Sequence, residues 1–596
     1  MIGFSGIIYD QPAPASQYED RLKEMLSALE GDQPSTIQTI ELRSTRGAEG
    51  ILGFITNRIQ ATIVEDDRWM LIVYGRLFDD ETSNQSTILS RSLPEANTLD
   101  HRDVLRLNGG FTLFKFNKHD GTLHLFRDRG GIKTVFYHHA EKATLLSSGL
   151  RGVAKSSLFT QKELDLEGLW MNVAYPAPTQ PLTCFKHVHV IERGAYLSLH
   201  DGRLSTDKYW EIPSRNIDEN MRFDDAVALT HETLNTATKR RVGNGASIGS
   251  TLSGGVDSAY LTALAHHHDP SVEAFTFKVK GAAFDAMNED DVASLTAKKH
   301  GITHHIRAFE YEDFTSELKT LVRLYEQPGI SLGAYFSIAS IARDLKYDQV
   351  INGLSADELY GGFHYFKHLE YWQWLRLLNP VAKLLPPNLH KGIDKFKRIA
   401  GARTIDEYYA RSFAGYLDEE LRALFTDANY RSIDVQKRLY NSSQEPFADA
   451  TSGLMHYMFS NCPNHHIYRF ENFSNHLGVM PLYPFLDNDV IDAALSIPSR
   501  HKVRGHKRKI VLKQAAAPWV VQPALTEAKR GVGAPLNAWI DNKLSDLTKQ
   551  SIEQLKQRGI FNAEYLDKVV LQYPAQYGKK TWKLVLTELW LQEFID

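Results

Sequence analysis

Residues 250–266, STLSGGVDSAYLTALAH, restrict the possible folds more than any other stretch of the chain. β-favouring residues end at Leu252, the string Ser253-Gly254-Gly255-Val256-Asp257-Ser258 follows, and an Ala/Leu-rich helical run begins at once. A strand that turns directly into a helix through glycines is half of a βαβ unit, and such units build parallel sheets covered by helices. Unpartnered amides and the positive end of the helix dipole favour an anion in this loop, and glycines let the backbone approach it closely. Leu252, Ser253, Gly254, Gly255 and Ser258 therefore read as a cradle for phosphate or pyrophosphate. Asp257 has no place in a plain anion cradle. A carboxylate beside phosphates fits a ligand of Mg²⁺ that bridges to a nucleotide.

The segments around this loop repeat the pattern. SIGSTL, EAFTFKV, HHIRAFE and DQVIN read as strands, with helical stretches predicted near 258–268, 288–300, 312–325 and 333–345. The regular alternation predicts a parallel sheet. Phe277, in EAFTFKV, is counted among the nucleotide-binding residues. A second acidic loop follows DQVIN in the string GLSADELYGGF, where Gly353 permits close approach and Asp357 is the second candidate Mg²⁺ ligand. Alone, an Asp-Glu pair in a loop is usually solvated surface; beside the first loop it gains a role. Beyond residue 365 the chain reads as mostly helical.

Before about residue 210 the texture differs. MLIVYGRL, FTLFKF, TLHLFRD and AYLSLHDG alternate apolar and polar residues between the turn signals NGG, HDG and DRGG. This predicts an antiparallel sheet domain over 1–210, followed by a second domain over 211–596. A chain of 596 residues, 43% hydrophobic and 23% charged with net charge −4, can bury large cores and carries no basic stripe for a polyanion. No nucleic-acid partner is expected, and no apolar run reaches the length of a membrane span. Without a signal-peptide pattern, the expected place is the cytoplasm. The two cysteines, Cys184 and Cys462, have no metal or disulfide-framework spacing. Adjacent His266, His267 and His268 on a helix point in different directions, and His304 and His305 alternate along a strand, so neither set forms a metal site. Tyr371-Trp372-Gln373-Trp374 reads as core rather than a peptide groove.

The loop at 253–258 resembles the pyrophosphate loop of ATP pyrophosphatases that adenylate a carbonyl group. Nearly the whole chain resembles the asparagine synthetase family. YGRLFDD, LNGGFTLFKFNKHDG, LFRDRGGIKTVFYHH, LSSGLRGVAK and KYWEIP follow the family's glutaminase half in order. SGGVDS, EQPGISLGAYF, GLSADELYGGF, YPFLD, Lys509-Ile-Val-Leu-Lys513 and AKRGVGAP follow its synthetase half. The resemblance implies an α+β and α/β chain: an N-terminal Ntn-hydrolase-like αββα sandwich, then an ATP-pyrophosphatase parallel-sheet domain with a helical C-terminal part. It implies ATP and Mg²⁺ as cofactors, with Lys529 and Lys509 facing the adenylate and the departing pyrophosphate.

Departures from the family pattern carry equal information. Ile2 stands where the family has its nucleophilic cysteine, and an aliphatic side chain cannot attack glutamine. Tyr74-Gly75-Arg76 replaces the family's glutamine-binding Asn-Gly-Glu, and Leu354 replaces a glutamate or tyrosine. Relatives with a disabled glutaminase half include β-lactam synthetases and lasso-peptide cyclases, whose attacking amine belongs to the substrate. The resemblance therefore implies a lasso-peptide macrolactam cyclase acting on a processed precursor peptide, with a leader peptidase or precursor-recognition protein as partner. The alternatives are a β-lactam synthetase-like cyclase and an ammonia-dependent asparagine synthetase. Glu471, close to Tyr468, is the candidate base.

Overall fold

The structure is a computed structural model that describes residues 2–57, 60–92, 101–175, 180–213, 216–280, 288–309, 314–329, 334–385, 391–402, 405–429, 449–526, 540, 544–571 and 578–596. Its first half contains two six-stranded antiparallel sheets packed face to face. Strand Gly3–Tyr9 lies inside one sheet, between Gly47–Thr56 and Ala143–Ser147. Strand Trp69–Leu77 lies inside the other, between Thr62–Glu65 and Gly109–Asn117. The inner faces meet through aromatic rings: Phe4 packs edge-on against Tyr74 at 5.0 Å and against Phe114 at 5.1 Å. Helix Glu19–Ser27 covers the outside of the first sheet with Leu22, Met25 and Leu26. Ile88 and Leu89, from helix Gln85–Ser92, cover the outside of the second. These four layers are the αββα sandwich expected from the sequence.

The second half is built on a five-stranded parallel sheet. Its central strand Ile248–Thr251 pairs with Glu273–Val279 on one side and Gln349–Ile351 on the other. His304–Phe309 and Met480–Leu482 form the edges. Helices Val256–His268, Asp290–His300, Phe314–Tyr325 and Ala334–Asp344 lie close to the predicted spans. The edge strand Met480–Leu482 was not foreseen, because only three residues separate a 27-residue helix, Ala450–His476, from it. The sheet order forces loops 252–258 and 352–357 to leave neighbouring strands at the same edge.

Two expectations about side chains resolve as follows. His266 donates to the Val272 carbonyl, His267 packs on Trp519, and His268 meets Asn235, so the three rings diverge. His304 and His305 hydrogen-bond Thr276 and Glu273. No group of three metal-ligating side chains occurs among the described residues. The aromatic cluster is corrected: Trp372 is core at 5% exposure, but Tyr371 is 49% and Trp374 73% exposed. One helical turn carries apolar rings on both faces, and only one face is covered. No helix among the described residues is long and apolar enough to cross a membrane.

The two halves are joined by buried polar contacts. Asp487, fully buried, accepts hydrogen bonds from Asn108 of the first half and Arg241 of the second, at 2.9 and 2.6 Å. Arg151 pairs with the buried Glu326 at 2.5 Å, and Arg193 donates to the Phe459 carbonyl at 2.6 Å.

Candidate active site

The loop after Ile248–Thr251 is braced by its own hydroxyls. The Ser253 amide donates to Ser258 Oγ at 3.0 Å, the two serine hydroxyls lie 2.9 Å apart, and the Gly255 amide donates to Ser253 Oγ at 3.2 Å. Helix Val256–His268 starts at Gly255 without a side-chain cap, leaving its first-turn amides for a ligand. Thr276 Oγ1 donates to the Leu252 carbonyl at 2.6 Å, which ties the loop to the neighbouring strand that carries Phe277.

The second loop approaches the first at Gly353. A Cβ there would lie 3.2 Å from Asp257 Cβ and 3.4 Å from the Ser258 amide nitrogen, so any larger residue would spread the loops. Asp357 sits in the first turn of the short helix Ala356–Tyr360. Gly362 has a stricter reason to be glycine: a Cβ would stand 1.8 Å from Asp357 Oδ1 and 2.2 Å from Lys509 Cε.

Lys509 completes this site. It precedes helix Ile510–Ala516 in a left-handed conformation, φ +53°, that aims its side chain between the loops. Its Nζ lies 2.6 Å from Asp257 Oδ2 and 2.5 Å from Asp357 Oδ1. Burial opposes its charge, but the two carboxylates outweigh burial and hold the ammonium above its usual pKa. Arg508 donates to the Gly362 carbonyl and anchors the second loop to the same element. Asp257 Oδ1 is buried and makes no hydrogen bond among the described residues. A pair of carboxylates meeting at one cation, with a spare buried oxygen, suits the oxygen-only preference of Mg²⁺. Lys513 stands one turn beyond Lys509, its pKa lowered by burial and by the charges of Lys509 and Arg508. It was not singled out from the sequence, although its i+4 spacing from Lys509 places both on one helix face.

The other expected residues fare differently. Lys529 lies outside the described residues. Leu354 is half-buried, its amide donating to Asn352 Oδ1 at 3.1 Å. Glu471 is not a solvent-linked carboxylate. It is 4% exposed and ion-paired to the buried Lys133 of the first half, with Tyr483 against it. Buried and held by Lys133 of the first half, its placement favours a role in joining the halves over that of a base. Tyr468, its near neighbour in sequence, donates instead to Glu326. Ile2 is 5% exposed and its amide donates to the Ile55 carbonyl at 2.8 Å, just ahead of strand Gly3–Tyr9.

A family model described as asparagine synthase matches residues 229–592, and one described as a glutamine amidotransferase domain matches residues 96–210. The chain is 22% identical over 505 residues to glutamine-hydrolysing asparagine synthetase 1 of Bacillus subtilis (strain 168), covering 81% of this chain and 77% of that protein. It is 23% identical over 523 residues to a putative glutamine-hydrolysing asparagine synthetase of Mycobacterium bovis, covering 82% and 77%. It is also 21% identical over 505 residues to the amidase chry2 of Gibberella zeae, covering 76% and 74%.

Proposed function

The chain belongs to the asparagine synthase family, a family of ATP-dependent carbon–nitrogen ligases that release AMP and PPi, and from that premise we propose that it closes an amide within a single substrate molecule. The observation that carries this reading is Ile2, an inert, buried side chain just ahead of strand Gly3–Tyr9, where glutamine hydrolysis would need a nucleophile. Without internal ammonia, the amine must arrive with the substrate. The proposed activity is that of a lasso-peptide macrolactam cyclase in the cytoplasm, joining a peptide's N-terminal amine to an Asp or Glu side chain.

The loop at 253–258 binds the phosphates of ATP, and the substrate carboxylate attacks the α-phosphorus, expelling PPi and forming an acyl adenylate. Asp257 and Asp357 would hold Mg²⁺, which when bound neutralises phosphate charge. Lys509 and Lys513, and by resemblance Lys529, stabilise the charge developing on the leaving PPi. The substrate amine then attacks the acyl carbon, AMP leaves, and the amine's proton passes to solvent or to the departing phosphate. Leu354 offers no acid–base function, so proximity of amine and acyl adenylate supplies the acceleration.

Incubating a processed precursor peptide with enzyme, ATP and Mg²⁺ is expected to lower the peptide's mass by one water and consume its free N-terminal amine. The uncleaved precursor should not react, because its reacting nitrogen is locked in a peptide bond; this requires a leader peptidase to act first. The second reading is an ammonia-dependent asparagine synthetase: the similar proteins are named asparagine synthetases, and with Ile2 in place of the nucleophile that their glutamine-hydrolysing names call for, the nitrogen would come from free ammonia. Amidation of free aspartate by ammonium, with no cyclisation of either peptide, would establish that reading instead. Under both, glutamine supplied with or without ATP is expected to yield no glutamate above a blank, and measurable turnover by purified enzyme would contradict the role given to Ile2.

A further inference from the structure

Of the ten large apolar side chains that stand exposed among the described residues, six fall between residues 371 and 384: Tyr371, Trp374, Leu377, Leu378, Val381 and Leu384. They belong to helix Phe366–Leu377, helix Asn379–Leu384 and the joint between them. Phe366, Leu369 and Trp372 fix the first helix to the core, Trp372 packing on Tyr408 at 5.8 Å, and this leaves Tyr371 and Trp374 facing outward. In the second helix Ala382 is buried, while Val381 is 55% and Leu384 84% exposed. Charge in this region is one-sided. Residues 366–400 hold seven lysines and arginines against two acids, in a chain whose net charge is −4. Arg376, Lys383 and Lys395 are exposed. Lys395 and Lys367 lie close together: burial first, and then these two ammonium charges, hold His368 below its ordinary pKa.

An apolar patch of this kind, set among basic residues, marks a surface that something covers. Apolar side chains that line a peptide groove are recessed, whereas these project from the protein, as insertion into an acyl layer requires. At twelve and six residues the helices are too short to span a bilayer, so contact is with its surface. We propose that this face rests on an anionic membrane. Trp374, Leu377 and Leu384 enter the boundary between headgroups and acyl chains, and Arg376, Lys383 and Lys395 meet lipid phosphates, their carbon stems lying along the apolar layer. The surface uses no residue of the adenylation loops, so the proposal stands whether the chain cyclises a peptide or amidates a free acid.

Co-sedimentation of the full chain with vesicles tests it, using equal parts phosphatidylglycerol and phosphatidylcholine beside phosphatidylcholine alone. The chain is expected to bind the anionic vesicles more tightly, and to lose that preference as salt is raised. The double variant Trp374→Ser/Leu384→Ser should weaken binding about tenfold or more, because two apolar side chains no longer leave water. Lys383→Glu/Lys395→Glu should bring binding to anionic vesicles down to the level of phosphatidylcholine alone. Both variants should keep the parent's unfolding temperature, since the four side chains stand in solvent. No binding to anionic vesicles, equal binding to both compositions, or binding undiminished in either variant would overturn the proposal. Sedimentation velocity without lipid supplies a further check: a parent dimer that Trp374→Ser/Leu384→Ser converts to a monomer would also overturn it, and would assign the surface to a second copy of the chain.

Discussion

Asp257→Asn is expected to reduce ATP-dependent PPi release by about 10²–10³-fold while leaving the fold intact. The carboxylate stands at the start of the helix that follows the phosphate loop, one oxygen 2.6 Å from Lys509 and the other buried without a partner among the described residues. Asparagine keeps the shape and removes the charge, so the ability to hold a divalent cation against the nucleotide is lost. Folding should survive for two reasons. The serine hydroxyls brace the loop independently of Asp257, and Lys509 retains Asp357 at 2.5 Å. Asp357→Asn should behave alike. Assay of PPi beside circular-dichroism melting separates the two effects, and parental PPi release from either purified variant would remove these carboxylates from the site.

Asp487→Ala should have the largest effect on stability, about 3–5 kcal/mol. The carboxylate is fully buried, takes Arg241 at 2.6 Å on one oxygen and Asn108 at 2.9 Å on the other, and adds Arg240 at 3.1 Å. Arg241 is itself 1% exposed, and burial already depresses its pKa against the pull of Asp487. Deleting the anion leaves a buried guanidinium unpaired, removes a contact between the halves, and uncaps helix Asn488–Ser496, which begins at Asp487. Denaturant unfolding should show the loss directly. A variant within about 1 kcal/mol of the parent would show that Arg241 finds another partner.

Asp487 also shows the limit of reading by resemblance. YPFLD was legible as a family string, yet nothing in five residues reveals that its aspartate holds two distant segments together. Glu471 shows the converse. The resemblance suggested a base, and the fold supplied a buried lysine from position 133 that no local pattern could disclose. The exposed rings of Tyr371 and Trp374 belong with these cases, since periodicity says which residues share a helix face but not whether anything covers it.

The sequence by itself determined what depends on neighbours along the chain. Alternation at a period of two marked the sandwich strands, and glycines between a strand and a helix marked both acidic loops, because backbone conformation there is set within a few residues. The missing nucleophile was equally plain, since Ile2 lacks an ionisable group in any fold. Tertiary structure alone decided which charges meet. Lys509 is 252 residues from Asp257 in sequence, and only the sheet order, with Gly362 clearing the way, brings its ammonium between two carboxylates. Coulomb interactions act through space rather than along the chain, so their partners are fixed only when the chain is folded.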